Sequence, residues 1–248
     1  MISLEQKVKT ANKDFYNTVG SFYEAIDGRR SPQLIHYLED QFKIISKKTE
    51  GNSILDLGCG SGFVSKVAKE FFKQRYAIDI SHKIIKDMQD SILYKIVADT
   101  DAIPIGDNKL NCIVTFAVLH HCYAYEKILS EIYRVLTCGG IFYSDHDMDS
   151  FFFKRFKPLL KLYRMINNSH NNYLSKFNHL TKEIYCYSEF HQNGIPIEII
   201  ESTLKRVGFK NINIEYHWFG LSPLTNKIFG KRSFKRGNAP LVKIFAVK

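Results

Sequence analysis

Over the first fifty residues the apolar positions recur at helical spacing. Phe15, Val19, Phe22, Tyr23 and Ile26 share one face, and Ser31-Pro32 then opens a second helix running toward Ile45. From Ser53 the rhythm changes to short apolar runs alternating with amphipathic stretches, the pattern of a parallel sheet built from βα units. Strands are predicted at 53–57, 75–79, 94–98, 111–116 and 140–145, with helices at about 62–73, 82–91 and 123–136. Residues 147–194 break this alternation with FFFKRFKPLLKLYRMI, an asparagine-rich stretch (Asn167, Asn168, Asn171, Asn172) and an aromatic run ending in SEFHQNG. The α/β pattern then resumes with a helix from Pro196 to Arg206 closed by Gly208, and strands near 209–216 and 240–247 complete the sheet. No internal repeat is visible. The expected organisation is one α/β domain: a helical cap over 1–50, a ligand-binding core over 51–146, a lid insertion over 147–194, and completion of the sheet over 195–248.

Composition narrows the function. With 248 residues, 45% of them hydrophobic, the chain can bury a substantial single core. Its five cysteines contain no CxxC pair and no zinc-like Cys/His spacing, so reduced thiols and no metal are expected. The opening MISLEQKVKT lacks an apolar stretch, and no later run reaches the roughly 18 apolar residues of a membrane span. A cytoplasmic location is the resulting expectation. The formal charge of +10 gathers in the second half, at Lys154, Arg155, Lys157, Lys161 and Arg164 and again at Lys227, Lys231, Arg232, Lys235 and Arg236.

The chemistry concentrates in ILDLGCGSG. Strand residues Ile54 to Leu57 run into Gly58, Gly60 and Gly62, and a helix follows at once. Glycines allow both the tight turn and the close approach of a ligand, while free amides at the helix start favour a negative group. Asp79 ends the next strand in YAIDIS, where a carboxylate can accept hydrogen bonds from both hydroxyls of a ribose. The G-x-G-x-x-G spacing of dinucleotide enzymes would need glycine where Phe63 stands, which argues against a nicotinamide cofactor. Asp56, Asp79 and Asp99 then form an ordered series of acidic groups on successive strands.

Taken together, ILDLGCGSG, YAIDIS, VADTDAIPI and EIYRVLTCGG resemble the ordered motifs of class I methyltransferases, and most nearly the ubiquinone/menaquinone-methyltransferase-like set, over residues 51–145. The resemblance implies a Rossmann-like fold with a mostly parallel seven-stranded sheet whose last strand is antiparallel, and S-adenosyl-L-methionine as cofactor. It implies that Gly58, Cys59 and Gly60 line the methionine part, that Asp79 and Ile80 hold ribose and adenine, and that Asp99 and Thr100 flank the adenine ring. Phe116 and Ala117 would lie beneath the sulfonium, and Tyr23 would close over the cofactor. The family's aspartate at the start of strand four is Asn111 here, a departure that touches a structural contact more than the cofactor site.

A sulfonium methyl is already activated, so alignment of the acceptor and exclusion of water are the main requirements. A hydroxyl acceptor also needs a base within about 3 Å of its proton. His121 after strand four and His146 after strand five are the leading candidates, beside His120, Asp145 and Asp147; Glu189 and His191 lie at the end of the lid. TFAVLHH stands where adenine-amino methyltransferases carry Asn/Asp-Pro-Pro-aromatic, and neither a Pro-Cys nucleophile nor a catechol-type aspartate set is present. A small-molecule or lipid-like acceptor, methylated at oxygen or carbon, is favoured by elimination. The basic aromatic insertion suits either a lid or a peripheral membrane contact, although Pro158 interrupts a long helix. An RNA methyltransferase and a non-catalytic cofactor-binding partner subunit are the alternatives, with nucleic acid disfavoured.

Overall fold

The computed structural model describes residues 2–20, 22, 31–49, 51–90, 93–161, 174–177 and 179–248. Tyr23, Arg164 and the four asparagines named above lie outside the described residues. Seven strands form one sheet: β1 (Ser53–Leu57), β2 (Gln74–Asp79), β3 (Tyr94–Val97), β4 (Leu110–Phe116), β5 (Leu136–Met148), β6 (Lys210–His217) and β7 (Leu241–Val247). Their spatial order is β3-β2-β1-β4-β5-β7-β6, parallel throughout except that β7 runs antiparallel between β5 and β6. The helices are α1 (Leu4–Val19), α2 (Pro32–Thr49), α3 (Phe63–Val67), α4 (His82–Asp87), α5 (Tyr125–Val135), α6 (Ser150–Arg155), α7 (Lys182–Ser188), α8 (Ile197–Val207) and α9 (Pro223–Phe229).

Helices cover both faces of the sheet, which is why its central strands are apolar on alternate and adjacent positions alike. Ile54, Val114 and Tyr143 face Leu38, Phe42 and Ile45 of α2 with Val64 of α3. Their neighbours Leu55, Ile113 and Phe142 face Ile128, Leu129 and Ile132 of α5 with Ile200 and Leu204 of α8. Leu38 and Phe42 are fully buried, and each such side chain contributes about 1.5–3 kcal/mol.

Three elements depart most from their predicted spans. The predicted helix over 62–73 ends at Val67 and tightens into a 3-10 turn at Ala68–Glu70, which drops Phe72 into the core edge-on to Phe42. The predicted helix over 82–91 ends at Asp87, because Met88 turns in to pack with Cys59 and Ala77. The predicted strand over 140–145 extends at both ends, since β5 lies between two partners: Leu136 pairs with β4, and Asp147 and Met148 pair with β7. Its charged end reads as loop in sequence, yet Asp145, His146 and Asp147 are buried. α9 is absent from the predicted elements. Ser222 caps it, accepting from the Thr225 amide while the Thr225 hydroxyl accepts from the Ser222 amide, with Pro223 in the first turn.

Phe152 and Phe153 of α6 are buried, and Phe152 meets Trp218 edge-on on the side of the C-terminal segment. No described residue of 147–194 lines the cleft; Ser188 and Glu189 meet the histidines at its rim, as described next.

Candidate active site

A cleft opens along the carboxyl ends of β1, β2 and β4, the edge at which α/β sheets bind ligands. It is lined by Asp56, Gly58, Cys59 and Gly60 after β1, by Asp79 and Ile80 after β2, by Asp99, Thr100 and Asp101 after β3, and by Phe116, Ala117 and Val118 after β4. His121 and His146 line it too, and α1 contributes Val8, Lys9, Asn12 and Tyr16. Of the candidates named from sequence, only Tyr23 lies outside the described residues.

The glycine turn is pinned from outside the cleft. The amides of Gly58 and Cys59 both donate to the Ile78 carbonyl, at 2.8 and 2.9 Å, which fixes the turn against β2. Gly58 has φ +74, and a Cβ there would lie 2.8 Å from Val118. Gly60 has φ +50, and a Cβ there would meet nothing within 4 Å. Gly60 therefore leaves open backbone facing the cleft, a cradle that a ligand can occupy. Its amide donates to Asp79 Oδ2 at 3.0 Å, while Ser81 donates to Oδ1 at 2.9 Å. Burial raises the Asp79 carboxyl above the ordinary aspartate range, against the lowering effect of the Ser81, Gly60 and Ile80 amides. Such a buried carboxylate gains from further hydroxyl donors, as a ribose would supply. Asp56 lines the cleft and also supports it: its Oδ2 accepts from the Ser65 amide and hydroxyl at 3.0 and 2.7 Å, holding the first turn of α3.

The far side of the cleft is built around the 3-10 turn Leu119–His121. Asp147 anchors it, accepting from the Leu119 and His120 amides, each at 3.1 Å, and from His120 Nδ1 at 2.6 Å. His120 Nε2 then lies 3.5 Å from Glu189. His121 Nδ1 lies 2.5 Å from the Ser188 carbonyl, a contact that only a protonated Nδ1 makes. Nε2 therefore carries the lone pair and accepts from the Tyr16 hydroxyl at 2.9 Å. Burial, together with the nearby charge of His120, pushes His121 down to about 4, so it is a neutral acceptor near pH 7. His146, at φ +69, stacks on Phe116 with centroids 4.3 Å apart and is tied through Nδ1 to Asp145 at 2.9 Å.

Lys9 was not among the residues singled out from sequence. Its ammonium lies 2.5 Å from Asp101 and 3.1 Å from Asp99, clamping α1 across the loop after β3. Burial opposes the charge, but Asp101 and Asp99 together raise Lys9 above the ordinary lysine value. Tyr16 was missed as well, although Lys9, Asn12 and Tyr16 recur at three- and four-residue spacing, a polar stripe on one face of α1.

Residues 55–144 match the profile of a family described as methyltransferase domain. Residues 55–144 therefore carry a domain of that family. A malonyl-acyl-carrier protein O-methyltransferase of Buchnera aphidicola is 32% identical over 128 residues, 50% of this chain and 50% of the relative. A juvenile hormone acid O-methyltransferase of Bombyx mori is 23% identical over 203 residues, 78% of this chain and 69% of the relative. The match thus spans about half the length of the first of these proteins. A crystal structure of a SAM dependent methyltransferase from Archaeoglobus fulgidus superposes with a TM-score of 0.59 at 15% identity, covering 92% of this chain and 100% of that one. The methyltransferase domain therefore keeps the class I sheet order at low sequence identity, and its α1 and α9 lie outside the matched profile.

Proposed function

We propose that the chain is an S-adenosylmethionine-dependent methyltransferase acting at an oxygen of a small or lipid-like acceptor. The observation that carries this reading is one cleft lined by the glycine turn, the strand-end carboxylates Asp79 and Asp99, the Phe116–Ala117 corner and the Tyr16–His121 pair. Family membership supports the cofactor. Oxygen is favoured over carbon because both relatives quoted are named O-methyltransferases and because Tyr16 and His121 form a proton-accepting pair.

S-adenosylmethionine brings a methyl group already activated on a sulfonium. Gly58, Cys59 and Gly60 would line its methionine part, Asp79 and Ile80 its ribose and adenine, and Asp99 and Thr100 the adenine ring. Phe116, braced from behind by His146, gives the acceptor side an apolar wall that excludes water. Alignment of this kind supplies about 7–11 kcal/mol of a barrier. A hydroxyl acceptor hands its proton to Tyr16 as Tyr16 hands its own to His121 Nε2, while Ser188 holds the ring in the required tautomer.

Calorimetry tests the cofactor half. Wild-type protein is expected to bind S-adenosylmethionine, and Asp79→Ala to weaken binding tenfold or more, about 1.4 kcal/mol. Absence of binding by the wild type would sink the reading and leave the non-catalytic partner role.

A further inference from the structure

Two sequence segments that lie far apart come together in the structure, and neither contains an acidic residue. Residues 150–161 carry Lys154, Arg155, Lys157 and Lys161, and residues 218–238 carry Lys227, Lys231, Arg232, Lys235 and Arg236; Asp and Glu are absent from both. Trp218 joins them. Its ring meets Phe152 of α6 edge-on at 5.4 Å and stacks on Phe229 of α9 at 5.1 Å, while Arg155 donates to Asn238 at 3.1 Å.

The joined surface faces the same edge of the sheet as the cleft. β5 and β6 are each antiparallel to β7, so they run parallel to one another and their carboxyl ends share an edge. That is the edge where β1, β2 and β4 deliver the cleft residues. α6 begins two residues after β5 ends and α9 begins six residues after β6 ends, so both start from that edge.

Several apolar side chains here are exposed side by side. On and beside α9, Leu224 is 66% exposed, Ile228 55% and Leu221 38%; Leu159, just after α6, is 63% exposed and Phe151 46%. Leu224 and Ile228 are four residues apart, hence on one face of α9, and α9 buries none of its own residues. Around them Lys154, Lys157, Lys161, Lys227, Arg232 and Lys235 make no ion pair among the described residues. The acidic groups nearest to hand are already engaged: Asp149 and Glu198 by Arg236, and Asp40 by Lys231.

We propose that this α6–α9 face docks the domain on an anionic lipid surface, placing the mouth of the cleft against the layer from which a lipid-like acceptor would be drawn. Exposed aliphatic residues ringed by unpaired lysine and arginine are the chemistry of an interfacial helix, with the apolar row entering the headgroup boundary and the cations meeting lipid phosphates. Single-stranded nucleic acid would instead need open aromatic faces for base stacking. Among the described residues of this patch the exposed aromatic is Phe151, and it already has the Arg236 guanidinium 5.2 Å from its ring. Docking itself does not depend on methyl transfer, whereas the role given to the acceptor rests on the function proposed above.

Flotation of the whole chain with vesicles tests the proposal, using phosphatidylcholine alone and phosphatidylcholine mixed with phosphatidylglycerol, at low and high salt. The chain is expected to float only with the anionic vesicles and to be released by salt. Leu224→Asp with Ile228→Asp, and separately Lys227→Glu with Lys235→Glu, are each expected to weaken binding tenfold or more. All four positions are exposed, so thermal melting should match the wild type. Failure to float with anionic vesicles would overturn the proposal. Binding lost with the lysine changes but kept with the apolar ones would assign the face to an acidic protein and overturn it too. Capture of single-stranded RNA, with no vesicle binding, would hand the face to nucleic acid. Cofactor calorimetry run in parallel separates the two readings: vesicle binding without cofactor binding sinks only methyl transfer, and the converse sinks only docking.

Discussion

Asp145 has no solvent exposure, and the donors around it are aimed at its two oxygens. Tyr37 and Tyr143 donate to Oδ2 at 2.8 and 2.5 Å, and His146 Nδ1 and His217 Nε2 lie 2.9 and 2.8 Å from Oδ1. Burial alone would raise this carboxyl, but His146 and His217 hold it well below its ordinary value of 3.8. Because the folded value is the lower one, the network's contribution is present above 3.8 and is lost as pH falls through the folded value. Asp145→Asn is expected to cost about 3–5 kcal/mol near neutral pH. Melting curves taken through the acid range should also decline less steeply for this variant than for the wild type. In sequence, Asp145, His146 and Asp147 look like a cluster of bases. Spacing could not reveal their structural work, because Tyr37 lies 108 residues and His217 72 residues from Asp145. Tyr16→Phe is the matching test on the other histidine. With a hydroxyl acceptor, turnover is expected to fall about 100-fold while cofactor affinity stays unchanged. An unchanged rate would mean an acceptor that arrives already ionised.

At the scale of elements, α1 does more than cap the domain. Phe15 and Val19 pack on Leu180, Lys9 holds Asp99 and Asp101, and Tyr16 completes the His121 pair. The helix therefore ties the acceptor side of the cleft to the loop that follows β3. Lys9→Ala should loosen that tie by about 1 kcal/mol, since the pair is only partly buried. Hydrogen exchange is expected to quicken across Leu4–Val19 and to stay unchanged in β1 and β4. Equal rates would assign the hold on α1 to the Phe15 and Val19 packing instead. The sequence shows α1 as a helix, because its apolar period is clear, but not which polar face meets the ligand. That depends on Asp101, 92 residues away. α9 was legible in principle from Ser222-Pro223, yet it lacks the buried apolar face that usually announces a helix.

For the molecule as a whole, the alternation of apolar runs and amphipathic stretches predicts all seven strands, and the glycine turn with its acidic series predicts where the cleft lies. What stayed hidden was the closure of the cleft, because α1, the 3-10 turn at Leu119–His121 and Ser188 meet there only through tertiary packing. The sheet order has one further consequence. β7 is last of the seven strands in the chain but sits between β5 and β6, which do not pair with each other. A nascent chain still lacking residues 241–247 has nothing to bridge those two strands, and both keep an open row of amides and carbonyls. Without β7, β5 would be left with an open edge and β6 with no strand partner at all. β6 thus belongs to the sheet only by way of β7, and seven residues at 241–247 carry the whole attachment of an edge strand to the core.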